Sequence, residues 1–278
     1  MDIGDPALRK AATGKLSLAL KLAQQLQADM DAWWSLNPAS VVLDRRDDEQ
    51  TIDIVLTTTP LPPIDDWYHT AADVLQNYRD ALNRLTYSIC YSMTAPSKPR
   101  DVSFPIRKND ESWAAWKKKH SMIPDSLQNR FYAFQPYVSG REYLSALTES
   151  NNIEKHADGF KFAVTLSELQ IGPGSMTVEG LWNDDQLEPL LSVPAGDTFD
   201  IRAERQVIAT IEVPARITDI GVGAVEPVFA FTPMMRFGDE EIPLLAAIDL
   251  IGREVTWAIA YITGTVETAT DAPTHFEL

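Results

Sequence analysis

The sequence predicts an α+β protein: an antiparallel helical bundle with an N-terminal β-hairpin and an inserted antiparallel β-sheet, closing with a C-terminal helix. Two observations predict this class. Stretches near both ends of the chain repeat apolar residues every three or four positions, which is the spacing of amphipathic helices. After Gly159, short alternating or β-branched runs are separated by Gly, Pro and Asp, which is typical of antiparallel strands. The 278 residues permit one large domain or two modest ones.

The first predicted elements are a helix and a hairpin. Apolar residues recur from about Ala12 to Leu36, and Asn37-Pro38 ends this helix because the residue before a proline avoids the α region. Two β-branched runs flank a charged stretch at residues 45–50. They predict the hairpin at about residues 40–58.

The rest of residues 1–158 is predicted to be mainly helical. A long amphipathic helix is expected from about Asp65 to Tyr91, and shorter helices follow at about 110–120, 124–134 and 141–156. Trp113 and Trp116 lie three residues apart and therefore share a helix face. We interpret them as core anchors rather than as a platform for stacking bases.

Residues 159–278 are predicted to consist of an acidic β-rich region at 159–242, a helix at 243–264 and a flexible tail at 265–278. The helix is apolar on most sides, so it is expected to return to the bundle for burial. Residues 1–158 hold 18 basic and 21 acidic side chains, net -3, whereas residues 159–278 hold 6 and 19, net -13. The acidic half is either a solvated surface, a repellent of nucleic acid or a dock for a basic partner.

Several classes are excluded by what the chain lacks. The single cysteine, Cys90, rules out a disulfide-stapled scaffold, and its apolar neighbours predict a buried thiol. No phosphate-binding loop, dinucleotide fingerprint, nucleophile elbow or zinc-hydrolase motif occurs, so neither a cofactor nor a metal is expected. Neither a membrane span nor a secretory leader is expected. The predicted location is the host-cell cytoplasm, or the virion if a phage encodes the chain.

One pair of side chains suggests chemistry. Asn152 and His156 lie four residues apart, on one face of the predicted 141–156 helix. An amide can hold an imidazole in one tautomer, as a general acid or base requires. The alternative is a structural pair that ties the helix end to neighbouring loops through hydrogen bonds.

Four motifs in order carry a resemblance to a family of uncharacterised bacterial and phage proteins. Residues 74–87, VLQNYRDALNRLTY, resemble the family's helix motif LHNLRSALDHLAY. FPI at 104–106, QPY at 135–137 and NNIEKH at 151–156 follow in the same order, the family having LNNxDKH at the last. The match spans about residues 70–160. The family's Asp-His pair falls on Asn83 and Arg84, so any chemistry of that pair is lost here, whereas Arg79 and His156 remain.

The window 151–156 is also distantly similar to the Arg-Asn-x-x-x-His signature of HEPN-type helical domains, many of which are ribonucleases or toxin partners. In such a site the arginine stabilises the phosphate and the histidine moves a proton. Asn151 stands in the arginine's place here. The resemblance therefore implies a degenerate site, unless Arg79 or Lys155 supplies the missing charge.

Two hypotheses of function follow. The first is a non-enzymatic interaction or structural protein, such as a phage accessory or virion component or part of a defence system, which binds a protein partner or itself. The second is a HEPN-like, metal-independent ribonuclease with His156 as acid and base, Asn152 as its orienter and Arg79 or Lys155 on the phosphate. Lys117–Lys119 would then hold the RNA backbone. A small-molecule enzyme with a pocket in the β-rich half stays open as a third class, although no group of polar residues indicates its substrate.

Overall fold

The computed structural model describes residues 6–46, 51–93, 102–139, 143–153, 160–161, 163–171, 176–179, 198–212, 219–222, 225–231, 233–237 and 240–265. Within these residues the chain is a mixture of helices and antiparallel strands and has a C-terminal helix, as the sequence predicts. His156 and the tail at 266–278 lie outside the described residues.

In chain order the described helices are α1 (Pro6–Trp34), α2 (Ile64–Met93), α3 (Asp110–Lys119), α4 (Asp125–Tyr132), α5 (Pro136–Ser139), α6 (Tyr143–Ile153) and α7 (Leu244–Ile262). Six of the seven described helices overlap a predicted helix, although α1 begins six residues earlier than predicted and α5 was not predicted. Helix α3 begins after Asn109, whose side chain accepts a hydrogen bond of 2.9 Å from the main-chain N–H of Ser112. This cap satisfies one of the free N–H groups of the first turn and fixes where the helix starts.

The strands form small sheets, and the pairs whose register is described are antiparallel. In chain order the strands are β1 (Ala39–Arg45), β2 (Thr51–Thr58), β3 (Phe160–Lys161), β4 (Ala163–Ile171), β5 (Met176–Glu179), β6 (Thr198–Asp200), β7 (Arg205–Glu212), β8 (Asp219–Val222), β9 (Val225–Phe231), β10 (Met234–Phe237) and β11 (Glu240–Pro243). In one sheet, β2 pairs with β1 on one side and with β7 on the other. In a second sheet, β4 lies between β6 and β9, and β5 pairs with β8 in a third.

The chain divides into two compact units. The first is drawn from Met1–Gln27, Trp67–Gly159 and Met235–Leu278, and the second from Ala28–Asp66 and Phe160–Met234. The hairpin belongs to the second unit because β2 pairs with β7. By sequence pattern alone, this hairpin is placed in the module of residues 1–158, and that division into modules stays a prediction. Local periodicity carries no signal for a pairing between strands so far apart in the chain.

The core of the first unit is built on α2, which buries one complete face. Its buried residues are Trp67, Ala71, Val74, Leu75, Asn77, Tyr78, Ala81, Leu82, Leu85, Thr86, Ile89 and Cys90. Helices α4 and α6 both contact α7. The predictions that Trp113 and Trp116 are core residues and that Cys90 is buried are confirmed, and the two indole rings stack with centroids 5.0 Å apart.

The second unit has a hydrophobic cluster around Leu56 and Phe199. A buried carboxylate connects two of its strands, since Asp53 of β2 accepts a hydrogen bond of 2.8 Å from the Thr210 hydroxyl of β7. Arg46 donates to both oxygens of the same carboxylate, at 2.8 Å each. These three hydrogen bonds stabilise the carboxylate of Asp53, a residue that is only 8% exposed.

Candidate functional site

Two of the sequence motifs meet where an irregular segment lies against α2. The main chain of Phe104, in the FPI motif, is held by two α2 side chains. Its N–H donates to Asn83 Oδ1 at 3.0 Å, and its carbonyl oxygen accepts from Arg79 Nη2 at 3.0 Å. Arg79 and Asn83 can act together because residues four apart share a helix face.

The third motif binds the same segment. Gln135, of the QPY motif, is fully buried. Its Nε2 donates to the carbonyl oxygens of Pro105 and Phe131 at 2.8 and 2.9 Å, and its Oε1 accepts from the Arg107 N–H at 2.9 Å. Residues 102–107 form neither helix nor strand, so their buried main-chain groups need side-chain partners such as these.

The charges around Arg79 are unevenly compensated. Burial first, and then the nearby Arg107, lower the pKa of Arg79 to about 10, so its guanidinium is still protonated at neutral pH. The adjacent carboxylate of Asp80 is engaged elsewhere, since it pairs with Lys15 at 3.1 Å and accepts from Gln76 at 3.0 Å. Asp80 therefore offsets the charge of Arg79 only in part.

A pocket of about 420 Å³ opens beside this junction. It is lined by Asp80, Asn83, Arg84, Tyr87, Ser88 and Val102. Asn83 and Arg84 are the two positions where the resembled family carries its Asp-His pair. The Arg84 side chain is exposed, and no described residue forms an ion pair with it. Further along α2, the Tyr87 ring stacks on the Tyr91 ring, with centroids 5.8 Å apart.

Of the predicted catalytic residues Arg79, Asn152 and His156, only Arg79 has a described side chain. Arg79 lies in this junction, where it binds the main chain of Phe104. The main chain of Asn152 is in α6, but its side chain lies outside the description, as do Lys155 and His156 completely. The proposed grouping of Arg79, Asn152 and His156 therefore stays a prediction.

Sequence reasoning missed the roles of Asn83, Arg107 and Gln135. All three lie inside or directly beside quoted motifs, but nothing in a residue type shows that it will bind a distant main chain. The signal that could have found them is the proline-containing segment itself. A buried extended stretch without a strand partner needs nearby amide side chains.

The lysine run of the ribonuclease hypothesis forms the last turn of α3. Lys117 pairs with Asp125 at 3.6 Å, and Lys118 is exposed. Cations in a last turn offset the partial negative charge of the helix end. His120 follows as the helix cap and is buried, with Nδ1 3.0 Å from the carbonyl oxygen of Trp116.

Comparison of the chain with protein-family models, curated proteins and solved structures finds no match. The motif resemblance therefore stays a prediction. In the part of the chain that the structure describes, no three His, Cys, Asp or Glu side chains are grouped so that they could hold a metal ion. None of the described helices has the length and apolarity needed to cross a membrane.

Proposed function

We propose that this chain is a non-enzymatic interaction or structural protein of bacterial or phage origin, working as an accessory, virion or defence-system component in the cytoplasm or the virion. One observation carries the proposal. The polar side chains of the motifs, Arg79, Asn83 and Gln135, hydrogen-bond to the main chain of residues 104–107, and Gln135 also to that of Phe131. Motif residues used in this way stabilise a fold, and they do not present reactive groups to a substrate.

The proposal includes the architecture expected from the sequence, in which the helices form an antiparallel bundle and α7 returns to α2. Two observations support this part. Gly252 of α7 lies directly against Tyr78 of α2, and α4 and α6 contact α7. The bundle would then be the rigid support on which the interaction surfaces are carried.

The proposed partner is a protein with a basic surface, or a second copy of this chain. The net charge of -13 over residues 159–278 favours a basic partner, because complementary potentials speed encounter and select among partners. The pocket face of α2 supports self-association, since it presents exposed Arg84 and Tyr91, and Tyr91 is 58% exposed. Arginine and tyrosine are residue types enriched at interfaces.

The position of Arg79 weighs against the ribonuclease alternative. Its Nη2 donates to the Phe104 carbonyl oxygen, and its Nη1 is shielded from solvent. An RNA phosphate would have to displace residues 102–107 to reach it. His156 as acid and base, with Asn152 as its orienter, would then lack the cation that stabilises the phosphate.

The test combines oligomeric state with turnover. Light scattering after size exclusion is expected to show a mass above 31.0 kDa at micromolar concentration. Cleavage of a mixed-sequence RNA by the wild-type chain is expected to equal that of His156→Ala. A monomer that cleaves RNA, and loses this activity in His156→Ala, would contradict the proposal and establish the alternative.

A further inference from the structure

Strand β7 lies at an edge of its sheet. The strand order is β1-β2-β7, so β2 is the one described strand that pairs with β7. Main-chain groups along a strand edge readily pair with another extended chain. Val207, near the middle of β7, is 50% exposed. The side of β7 that faces away from β2 is therefore a surface on which a further strand can add.

The register determines which main-chain groups of β7 face away from β2. The Thr58 N–H donates to the Glu204 carbonyl oxygen at 3.0 Å. In an antiparallel pair, residues bonded to the opposite strand alternate with residues that are not. Arg205 and Val207 are such unbonded positions, and they direct their N–H and C=O groups outwards.

A β-bulge changes the spacing of the outward groups. The register with β2 shifts by one residue at Ile208, which is the extra residue of the bulge. Beyond it, Thr210 and Glu212 are opposite Asp53 and Thr51, whose own main-chain groups point towards β1. The outward positions of β7 are therefore 205, 207, 210 and 212. Their steps of two, three and two residues read the same in either direction.

We infer that β7 pairs antiparallel with β7 of a second copy of this chain, about a twofold axis between Ile208 and Ala209. In this register position 205 faces position 212 and position 207 faces position 210, so every outward position meets an outward position. A regular strand presents such groups at every second residue and would match only one side of the bulge. A second copy brings the same three-residue step. The inference rests on the proposed function, in which a second copy is one of the proposed partners, and it names the surface that this copy binds.

The side chains are compatible with the same register. The outward positions are opposite alternate residues of β2 and share one face of the sheet. Residues that meet across the axis are therefore on the same side of the combined sheet, where Val207 packs beside Thr210 of the second copy. Arg205 is exposed and pairs with Asp44, and it faces position 212 of the second copy, a glutamate in the sequence. Opposite charges at facing positions stabilise an antiparallel pair.

The first experiment measures the mass by light scattering after size exclusion, over a dilution series. The wild type is expected to have about twice the mass of 31.0 kDa at micromolar concentration. Val207→Pro removes an outward N–H from each copy and no bond to β2. It should weaken self-association about ten-fold or more, because two hydrogen bonds are lost. Val207→Thr is the matched control, since it keeps the N–H and the branched shape, and it should associate like the wild type.

The second experiment tests the register and stays informative if Val207→Pro fails to fold. A variant with both Val207→Cys and Thr210→Cys places thiols of different copies at facing positions, where Cα atoms are about 5.5 Å apart, within the range of a disulfide. Within one copy the same positions are about 10 Å apart, which is too far. The double variant is expected to form a covalent dimer on mild oxidation, and neither single variant should, since the native Cys90 is buried.

Three results would each overturn the inference: a monomeric wild type, self-association that is unchanged in folded Val207→Pro, or no covalent dimer from the double cysteine variant. Equal weakening by Val207→Thr would overturn it too. The proposed function fails on a different result, which is RNA cleavage that is lost in His156→Ala. A dimer that survives Val207→Pro and cleaves no RNA therefore contradicts only the pairing through β7.

Discussion

Tyr78 and Gly252 lie so close together that no side chain fits between them. A Cβ placed on Gly252 would come within 2.4 Å of the Tyr78 hydroxyl oxygen and 2.9 Å of its ring carbon Cζ. Tyr78 is 1% exposed and its phenol is held in the core, where burial and the nearby Asp249 raise its pKa. The glycine is therefore what permits α7 to approach α2 at this point.

Gly252→Ala is expected to destabilise the fold by about 1–3 kcal/mol, since the new methyl group would overpack a rigid core. Urea unfolding followed by circular dichroism measures this. The control is Gly14→Ala, which lies within α1 and has nothing within 4 Å of the new Cβ. There the same change should stabilise the chain by about 0.5–1 kcal/mol, because alanine is the better helix former. Equal effects at both positions would refute the close-approach argument.

Arg130 is expected to stabilise the end of α7. Its Nη1 donates to the Tyr261 carbonyl oxygen at 2.8 Å, where a helix carries partial negative charge, and its guanidinium lies 5.5 Å from the Tyr261 ring centroid. Arg130→Gln should lower the free energy of unfolding by about 1–2 kcal/mol. Arg253→Gln, which removes only an exposed pair with Asp249, should cost no more than about 0.5 kcal/mol. A reversed order of these two losses would contradict the prediction.

Gln135 is expected to be more important for stability than its uncharged side chain suggests. Gln135→Met keeps the size of the side chain but removes its hydrogen bonds with the main chain of Pro105, Arg107 and Phe131. The loss should be about 2–4 kcal/mol, because buried polar groups are left without partners. Gln76→Met, at a half-buried position with one bond to Asp80, is the control and should cost less than about 1 kcal/mol. Similar losses of unfolding free energy in both variants would be evidence against the role of Gln135 in binding the main chain of residues 104–107.

Cys90 is expected to be unreactive in the folded chain. Burial raises its pKa from 9.0 to about 11. At pH 8 the thiolate fraction is then about one in a thousand when folded and about one in ten when unfolded. A thiol reagent should react slowly until denaturant is added. The same shift stabilises the fold below about pH 9, and this contribution is lost as the pH rises through about 11.

The comparison with Cys90→Ala isolates the thiol from other groups that titrate at alkaline pH. The difference in unfolding free energy between wild type and variant should shrink as the pH rises from 9 to 11. A difference that stays constant over this interval, or a native thiol that reacts as fast as the unfolded one, would show that the thiol is accessible.

Local features were predictable and long-range ones were not. The face of α2 follows from apolar spacing, so its predicted bounds at Asp65 and Tyr91 differ from the observed Ile64 and Met93 by one or two residues. Arg79 was identified through a motif, but its partner was not. Every residue has a main-chain carbonyl oxygen, so no residue type indicates that the carbonyl of Phe104 is the partner. The roles assigned to Asn152 and His156 stay predictions.

The pairing of β2 with β7 has a consequence for the chain as it leaves the ribosome. Asp53 and Thr210, which meet across these strands, are 157 residues apart. At about 5–20 residues per second, roughly 8–30 s pass between their synthesis. During that interval one edge of the nascent hairpin offers unpaired main-chain groups to any other extended chain nearby. The hairpin is thus a segment of the newborn protein that a holding chaperone would protect from pairing with a neighbouring chain.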